Sequence, residues 1–331
     1  MIISASRRTD IPSYYSDWFM NRIDEQFVDV RNPMFPKQIS RYSLSPDIVD
    51  GIVFWTKDPA PMLGKLSRLE RYSYYFQFSL TSCGKDVERS VRNKHDLIET
   101  FKQLSDIVGP DRVMWRYDPI FISNKYTLDY QIHAFREIIK ELDAYTRKVT
   151  ISFIDDYKFE GRSVYSDLRV KELTLELQSK VAEQLAQIAQ SHGLLVDTCA
   201  EKIDLQKYGI EHARCIDSRV FEKITGQRLS RLKKSYEELE KDKSQRIECC
   251  CIESIDIGAI NTCLHGCQYC YATSSRQSLA QNSKHYDPSS TLLCSTFDEA
   301  AGDRLIDNRG RGNNRDRSFK FEVDLQDKLP I

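Results

Sequence analysis

Up to residue 200 the chain repeats one phrase: a short apolar run, a polar loop, then a stretch with apolar residues every three or four positions. The runs at 2–6, 28–31, 52–56, 74–81, 113–117, 149–154 and 194–198 are short and rich in β-branched and aromatic residues, which predicts strands. A further run at 37–43 is a candidate small β element. The spacing predicts helices over 95–108 (Leu97, Ile98, Phe101, Leu104, closed by Gly109-Pro110), 130–142 (Ile132, Phe135, Ile138, Ile139, Leu142) and 170–189 (Val170, Leu173, Leu177, Val181, Leu185, Ile188). Shorter helices follow Asp10, with Pro12 in the first turn, and carry Met62, Leu63 and Leu66.

Strands separated by helices are joined in parallel by crossover connections. The expected fold is therefore α/β, a partial (β/α) barrel of parallel strands left open, although a doubly wound sheet satisfies the same periodicity. Polar residues gather where the strands end: Arg7, Arg8 and Asp10; Arg31 and Asn32; Lys57 and Asp58; Arg116 and Asp118; Asp155; Glu201. In parallel folds those ends form one rim, and the active site lies there. Arg7, Asp10, Lys57, Arg116, Asp118 and Glu201 are the candidate catalytic residues. Helix caps and ion pairs, such as Arg116 with Asp118 two residues on, explain the same residues without chemistry.

After residue 218 the pattern changes. A helical turn at 221–224 and a charge-laced helix over 229–243 precede a cysteine-rich stretch. The tail carries Arg304, Arg309, Arg311, Arg315 and Arg317 among Asp303, Asp307 and Asp316. Three regions are expected: a barrel-like domain over 1–217, a helix with a cysteine segment packed on it over 218–275, and a partly mobile tail over 276–331. Across 331 residues, 48 basic and 49 acidic side chains leave a formal charge of −1, so nothing global draws the chain to nucleic acid or an anionic membrane. The opening apolar run is too short for an export signal and no stretch is long enough to span a bilayer, so the expectation is a cytoplasmic protein with no membrane partner.

Ten cysteines in such a chain read as metal binding in a reducing compartment. The sharpest feature is Cys263-Leu264-His265-Gly266-Cys267-Gln268-Tyr269-Cys270-Tyr271-Ala272, a CxxxCxxC spacing on a loop that Gly266 allows to turn. Three thiolates at this pitch suit a [4Fe–4S] cluster with one iron left free. A zinc knuckle, completed by His265 or a distant cysteine, is the alternative. In an extended Cys249-Cys250-Cys251 the first and third thiols share a face, and with Cys199 and Cys215 they make a candidate site for a second, fully ligated cluster. Small thiols packed in a core are the plainer explanation of these four.

The CxxxCxxC spacing, with an aromatic before the third cysteine, resembles the signature of radical S-adenosylmethionine (radical SAM) enzymes. The run Cys-Gln-Tyr-Cys-Tyr looks most like the spore photoproduct lyase branch. The resemblance implies a cluster on Cys263, Cys267 and Cys270, SAM as cofactor, cleavage of SAM to a 5′-deoxyadenosyl radical, Tyr269 near the adenine, and an electron donor such as ferredoxin or flavodoxin. The runs Ile-Ser-Ala-Ser-Arg-Arg-Thr-Asp-Ile-Pro, Phe-Trp-Thr-Lys-Asp-Pro-Ala-Pro-Met, Trp-Arg-Tyr-Asp-Pro-Ile, Thr-Cys-Ala-Glu and Asp-Ile-Gly-Ala-Ile-Asn-Thr-Cys are similar to a bacterial domain-of-unknown-function family, number 1848. Radical SAM enzymes carry the cluster loop after the first barrel strand; here it comes last, which implies a circular permutation if a strand at 254–260 lies beside 2–6. No Gly-Gly-Glu run is present to hold the methionine end of SAM. The expected function is a radical SAM enzyme; the alternative is a non-catalytic Fe–S or zinc protein with a redox, sensing or nucleic-acid role. For a nucleic-acid substrate, Tyr14, Tyr15, Trp55 and Trp115 are the candidate stacking residues.

Overall fold

The structure is a computed structural model and describes residues 1–226 and 241–309. The expected helix over 229–243 lies almost wholly outside the described residues, as do Arg311, Arg315, Asp316 and Arg317. Eight strands form the main sheet: β1 (Ile2–Ala5), β4 (Gly51–Thr56), β5 (Tyr74–Ser79), β6 (Val113–Ile120), β7 (Lys148–Phe153), β10 (Leu195–Thr198), β11 (Glu211–His212) and β12 (Ile255–Asp256). Their spatial order is β11-β10-β7-β6-β5-β4-β1-β12, and every pairing is parallel.

From β1 to β11 the spatial order follows chain order without reversal, so the crevice of a doubly wound sheet is absent. The helices α2 (Ser16–Glu25), α4 (Lys94–Val108), α5 (Leu128–Leu142) and α7 (Leu175–Ser191) all pack on one face. There Phe19, Leu97, Phe101, Phe135 and Leu185 share a core with Ile3, Ile52, Phe54, Phe76, Trp115 and Ile151. The alternate strand residues Ile2, Val53, Tyr75 and Met114 face the other way and meet Cys215, Ile216, Phe221, Cys251 and Ile252 from the segment that returns from β11 to β12. Among the described residues β11 and β12 do not pair with each other, so the sheet remains open and no closed barrel forms.

Two expectations change. The strand at 28–31 does not join the main sheet: β2 (Phe27–Arg31) pairs antiparallel with β3 (Gln38–Ser43), and β13 (Arg304–Asp307) adds to β3. The link between β2 and β3 is too short for a parallel crossover. The helix expected from residue 170 begins at Leu175, because Thr174 caps it by accepting from Leu177 N, while Val170 and Leu173 pack as loop residues against a separate cluster around Phe121 and Ile154. Part of the tail is firmly placed: Trp18 Nε1 donates to Ser290 O (2.8 Å), and Leu293 and Cys294 enter the core.

β12 is only two residues long, and a carboxylate fixes it. Asp256 accepts from Ser4 Oγ (2.9 Å), Ser6 Oγ (2.6 Å), Arg7 N (2.8 Å) and Gly258 N (3.0 Å), with the guanidinium groups of Arg7 and Arg8 at 3.9 and 4.0 Å. Gly258 lies so close to β1 that a Cβ there would sit 2.0 Å from Ser6 Oγ.

Burial pushes the Asp256 carboxyl up, but Arg8, Arg7 and the hydrogen bonds outweigh it and hold the group below its usual value. Its stabilisation is therefore complete above the unfolded value, about 3.9, and is lost as pH falls from there through the folded value. Urea denaturation of Asp256→Ala is expected to show a loss of about 2–4 kcal/mol at neutral pH, since buried hydroxyl and backbone N–H donors lose their acceptor and two partly buried guanidinium groups lose an ion-pair partner. Asp256→Asn should flatten the acid limb of stability against pH. Gly258→Ala is expected to cost roughly 1–3 kcal/mol by overpacking against Ser6; an unchanged denaturation midpoint would refute the close approach.

Candidate functional site

Because all eight strands run the same way, their carboxyl ends share one rim. The cysteine loop leaves β12 at that rim and is pinched at its neck. Asn261 N donates to Ala272 O (2.8 Å), and Asn261 Oδ1 accepts from Ser274 N (2.7 Å). Inside the loop Gly266 adopts φ +65°, a conformation that side chains resist. The loop's outer turn docks on the loop after β5, through Ser90 N to His265 O and Gln268 N to Val87 O, both 2.9 Å.

His265 is an anchor, not a spare ligand. It is buried, its Nε2 lies 2.8 Å from Asp10 Oδ2 and 3.2 Å from Ser13 Oγ, and its Nδ1 lies 3.0 Å from Tyr14 OH. Both ring nitrogens are engaged, so ligating a metal would require His265 to give up one of these contacts. Asp10 also caps the short helix α1 (Ile11–Tyr14) by accepting from Ser13 N (3.0 Å), and accepts from Lys57 N (2.7 Å). One carboxylate thus ties together the ends of β1 and β4 and the thiol loop.

The three loop thiols are half-buried and free of disulfides. Burial pushes the Cys263 thiol up, the field of Asp10 adds to this, and backbone N–H groups of His265 and Asp10 pointing at the sulfur oppose it. Burial also raises Cys267, against the pull of the Lys57 ammonium. Among the described residues no three metal-binding side chains already surround a point where one ion would sit.

Lys57 and Tyr269 meet at a residue that sequence reasoning passed over. Glu88, almost fully buried, accepts from Lys57 Nζ (2.7 Å), Lys94 Nζ (2.5 Å), Thr81 Oγ1 (2.9 Å) and the Tyr269 hydroxyl. Lys57 Nζ also lies over the Tyr269 ring, 5.4 Å from its centroid. Burial works against charge on both partners, yet their mutual attraction leaves Glu88 well below and Lys57 above their ordinary values. The available signal was position: Glu88 follows β5 at the same rim as the residues that were singled out.

Arg116, Asp118 and Glu201 gather elsewhere on the rim, beside the other cysteines. Arg116 donates to Asp118 Oδ2 (2.5 Å) and to Cys215 Sγ (2.9 Å). Glu201 accepts from Phe153 N (2.7 Å) and Ser152 Oγ (2.9 Å). Burial, helped by Asp155 and Asp118 and opposed by those two hydrogen bonds, brings its carboxyl up to about 7. Arg7 stands between the two groups: it bonds to Ser254 Oγ (3.1 Å) and Asp242 Oδ2 (3.3 Å), while its carbonyl accepts from Tyr271 OH (2.7 Å).

The remaining expectations separate. Arg31 and Asn32 are not rim residues, since β2 belongs to the small sheet: Arg31 pairs with Asp303 (2.9 Å), and Asn32 Oδ1 accepts from Met34 N (2.9 Å). Trp115 and Tyr15 cannot stack on a base, because both are buried; Trp115 lies on the helix-covered face, stacked on Phe135 with centroids 4.8 Å apart. The Cys215 and Cys199 sulfurs lie 3.4 Å apart. No helix among the described residues is long and apolar enough to cross a membrane.

A search of curated proteins finds no match to the chain. The family model described as Domain of unknown function (DUF1848) matches residues 2–272, from β1 through the whole thiol loop. Sheet, rim and cysteine motif all fall within that match, and the chain belongs to the DUF1848 family.

Proposed function

We propose that this chain is a radical SAM enzyme in which Cys263, Cys267 and Cys270 hold a [4Fe–4S] cluster at the rim of the parallel sheet. One observation carries the reading. The three-thiol loop leaves a parallel strand lying beside β1 and reaches the rim where Asp10 and Lys57 stand. The donor set fits: three thiols on one loop, none tied in a disulfide, with backbone N–H groups at Cys263 and an ammonium facing Cys267. When bound, the cluster supplies the electron that cleaves SAM and so generates a carbon radical.

The chain's own residues do the rest. The Asp10–His265–Tyr14 set fixes the loop's inner turn, so the thiols are held by packing. Glu88 orients both Lys57 and the Tyr269 hydroxyl, and Lys57 provides a fixed positive charge beside the loop. Glu201 Oε1 is a site where a proton can be held or released near neutral pH. The β12–β1 pairing is what a circularly permuted form of the radical SAM barrel requires, and supports that relation.

Anaerobic reconstitution tests the reading. Wild-type protein is expected to take up roughly four irons per chain, with an EPR signal on reduction that changes when SAM is added, and to produce 5′-deoxyadenosine. Cys267→Ala should lose the iron and the product while keeping the wild-type circular dichroism. Iron uptake unaffected by Cys267→Ala, or reduced iron-loaded protein that leaves SAM intact, overturns the proposal.

A further inference from the structure

Four other cysteines meet from three separate passages of the chain. Cys199 ends β10, Cys215 follows β11, and Cys249 and Cys251 belong to the segment returning to β12. Cys215 Sγ lies 3.4 Å from Cys199 Sγ, Cys251 Sγ accepts from Ile216 N (3.4 Å), and Cys251 neighbours both Cys215 and Cys249. The sulfurs are thus neighbours in the order 199–215–251–249. Cys250 turns the other way, toward Glu248 O (3.7 Å) and a surface cleft lined by Gln206, His212 and Arg214. Alternation along an extended strand selects the two thiols that face inward.

Ordinary packing accounts for part of this, since Cys215, Cys249 and Cys251 border the apolar cluster of Ile2, Val53 and Tyr75. It does not account for the charges. The guanidinium of Arg116, 4 % exposed, donates to Cys215 Sγ at 2.9 Å. Lys148, Arg246 and Arg7 direct their fields at Cys215, Cys199 and Cys251 respectively. Each has a carboxylate partner: Asp118 for Arg116, Asp197 for Lys148, Asp155 for Arg246, and Asp242 with Asp256 for Arg7. Four basic side chains therefore lie around the sulfurs, one of them donating directly to a thiol. Beside Arg116 in register, Thr150 also keeps a buried hydroxyl with no partner among the described residues.

We propose that Cys199, Cys215, Cys249 and Cys251 bind one thiophilic divalent cation of the zinc class as a closed four-thiolate site. Four thiolates on such an ion leave two negative charges over, which the surrounding cations answer. The sulfur spacing favours an ion over the cluster expected from sequence. A tetrahedral site with Zn–S near 2.3 Å sets neighbouring sulfurs about 3.8 Å apart, close to the Cys199–Cys215 contact, whereas a cubane spreads its ligands more widely. The four sulfurs do not yet surround a common point, so binding draws Cys199 and Cys249 toward the middle pair. Each thiol gives up its proton to solvent as its metal–sulfur bond forms, and nothing is oxidised or reduced. The site fastens the return segment to the end of β10 and is independent of the proposed radical chemistry.

The test uses the full chain with Cys263, Cys267 and Cys270 all changed to Ala, so that the loop thiols contribute nothing. Chelator-treated protein is titrated with Co²⁺ and then Zn²⁺. Expected are about one cobalt per chain with the intense visible bands of tetrahedral thiolate coordination, displacement of cobalt by zinc, and a higher thermal midpoint with metal bound. Adding Cys249→Ser and Cys251→Ser should abolish the bands, and adding Cys83→Ser and Cys294→Ser should not. If the former protein does not fold, Cys199→Ser alone should weaken cobalt binding at least tenfold and shift the bands. Absence of a thiolate spectrum, unchanged binding in Cys199→Ser, or iron–sulfur absorption persisting in the triple-Ala protein each overturns the single-ion site.

Discussion

The Asp256 carboxylate is the constraint on which the rest of the molecule depends. β12 pairs with β1 through only two residues, too few to hold a strand at a sheet edge by ladder hydrogen bonds. Two serine hydroxyls, two backbone N–H groups and two guanidinium groups converge on this one side chain instead. A buried carboxylate so surrounded is stable in one place only, since any slip of register strands it without partners. The loop that begins seven residues later inherits that fixed origin.

From there the rim divides into two regions of different character. Around Cys263, Cys267 and Cys270 the neighbours are a capping carboxylate, a histidine engaged at both nitrogens and a lysine–glutamate–tyrosine set. Around Cys199 and Cys215 they are Arg116, Asp118 and Glu201. The first region holds its sulfurs on a single loop and leaves their polar surroundings saturated. The second gathers its sulfurs from distant passages and sets them among ion pairs. These are opposite solutions, one suited to a group that must keep an open position, the other to a group enclosed on all sides.

The sheet was legible because each strand and helix on the helix-covered face repeats a strong period: Phe54, Phe76, Trp115 and Ile151 on one side, Phe101, Phe135 and Leu185 on the other. Four things were not legible, each for a physical reason. β11 has two residues, too few to show a period. Residues 170–173 continue the helical spacing of α7, yet Thr174 accepts from Leu177 N and so starts the helix after them. Glu88 looks like one charge in a polar loop; its burial depends on Lys57, Lys94 and Tyr269 arriving from three other segments. The cysteine motif was readable as a spacing, but the service of His265 as an anchor was not, because Asp10 and Tyr14 lie some 250 positions away.

Placing the thiol loop last in the chain carries a calculable cost. Ser4 and Asp256 are 252 positions apart, whereas Lys148 and Asp197, on strands that flank one helix, are 49 apart. Closing the longer loop costs only about 1–2 kcal/mol more, because the penalty grows with the logarithm of length. A hydrogen bond to a charged group contributes about 1.5–3 kcal/mol, so two of the four that Asp256 accepts offset the difference. The order of elements along the chain is therefore weakly constrained by energy, while their order in space is strongly constrained by this one carboxylate. The β12 edge exists only where the first strand offers its serines, so the thiol loop takes its position from a contact made at the other end of the chain.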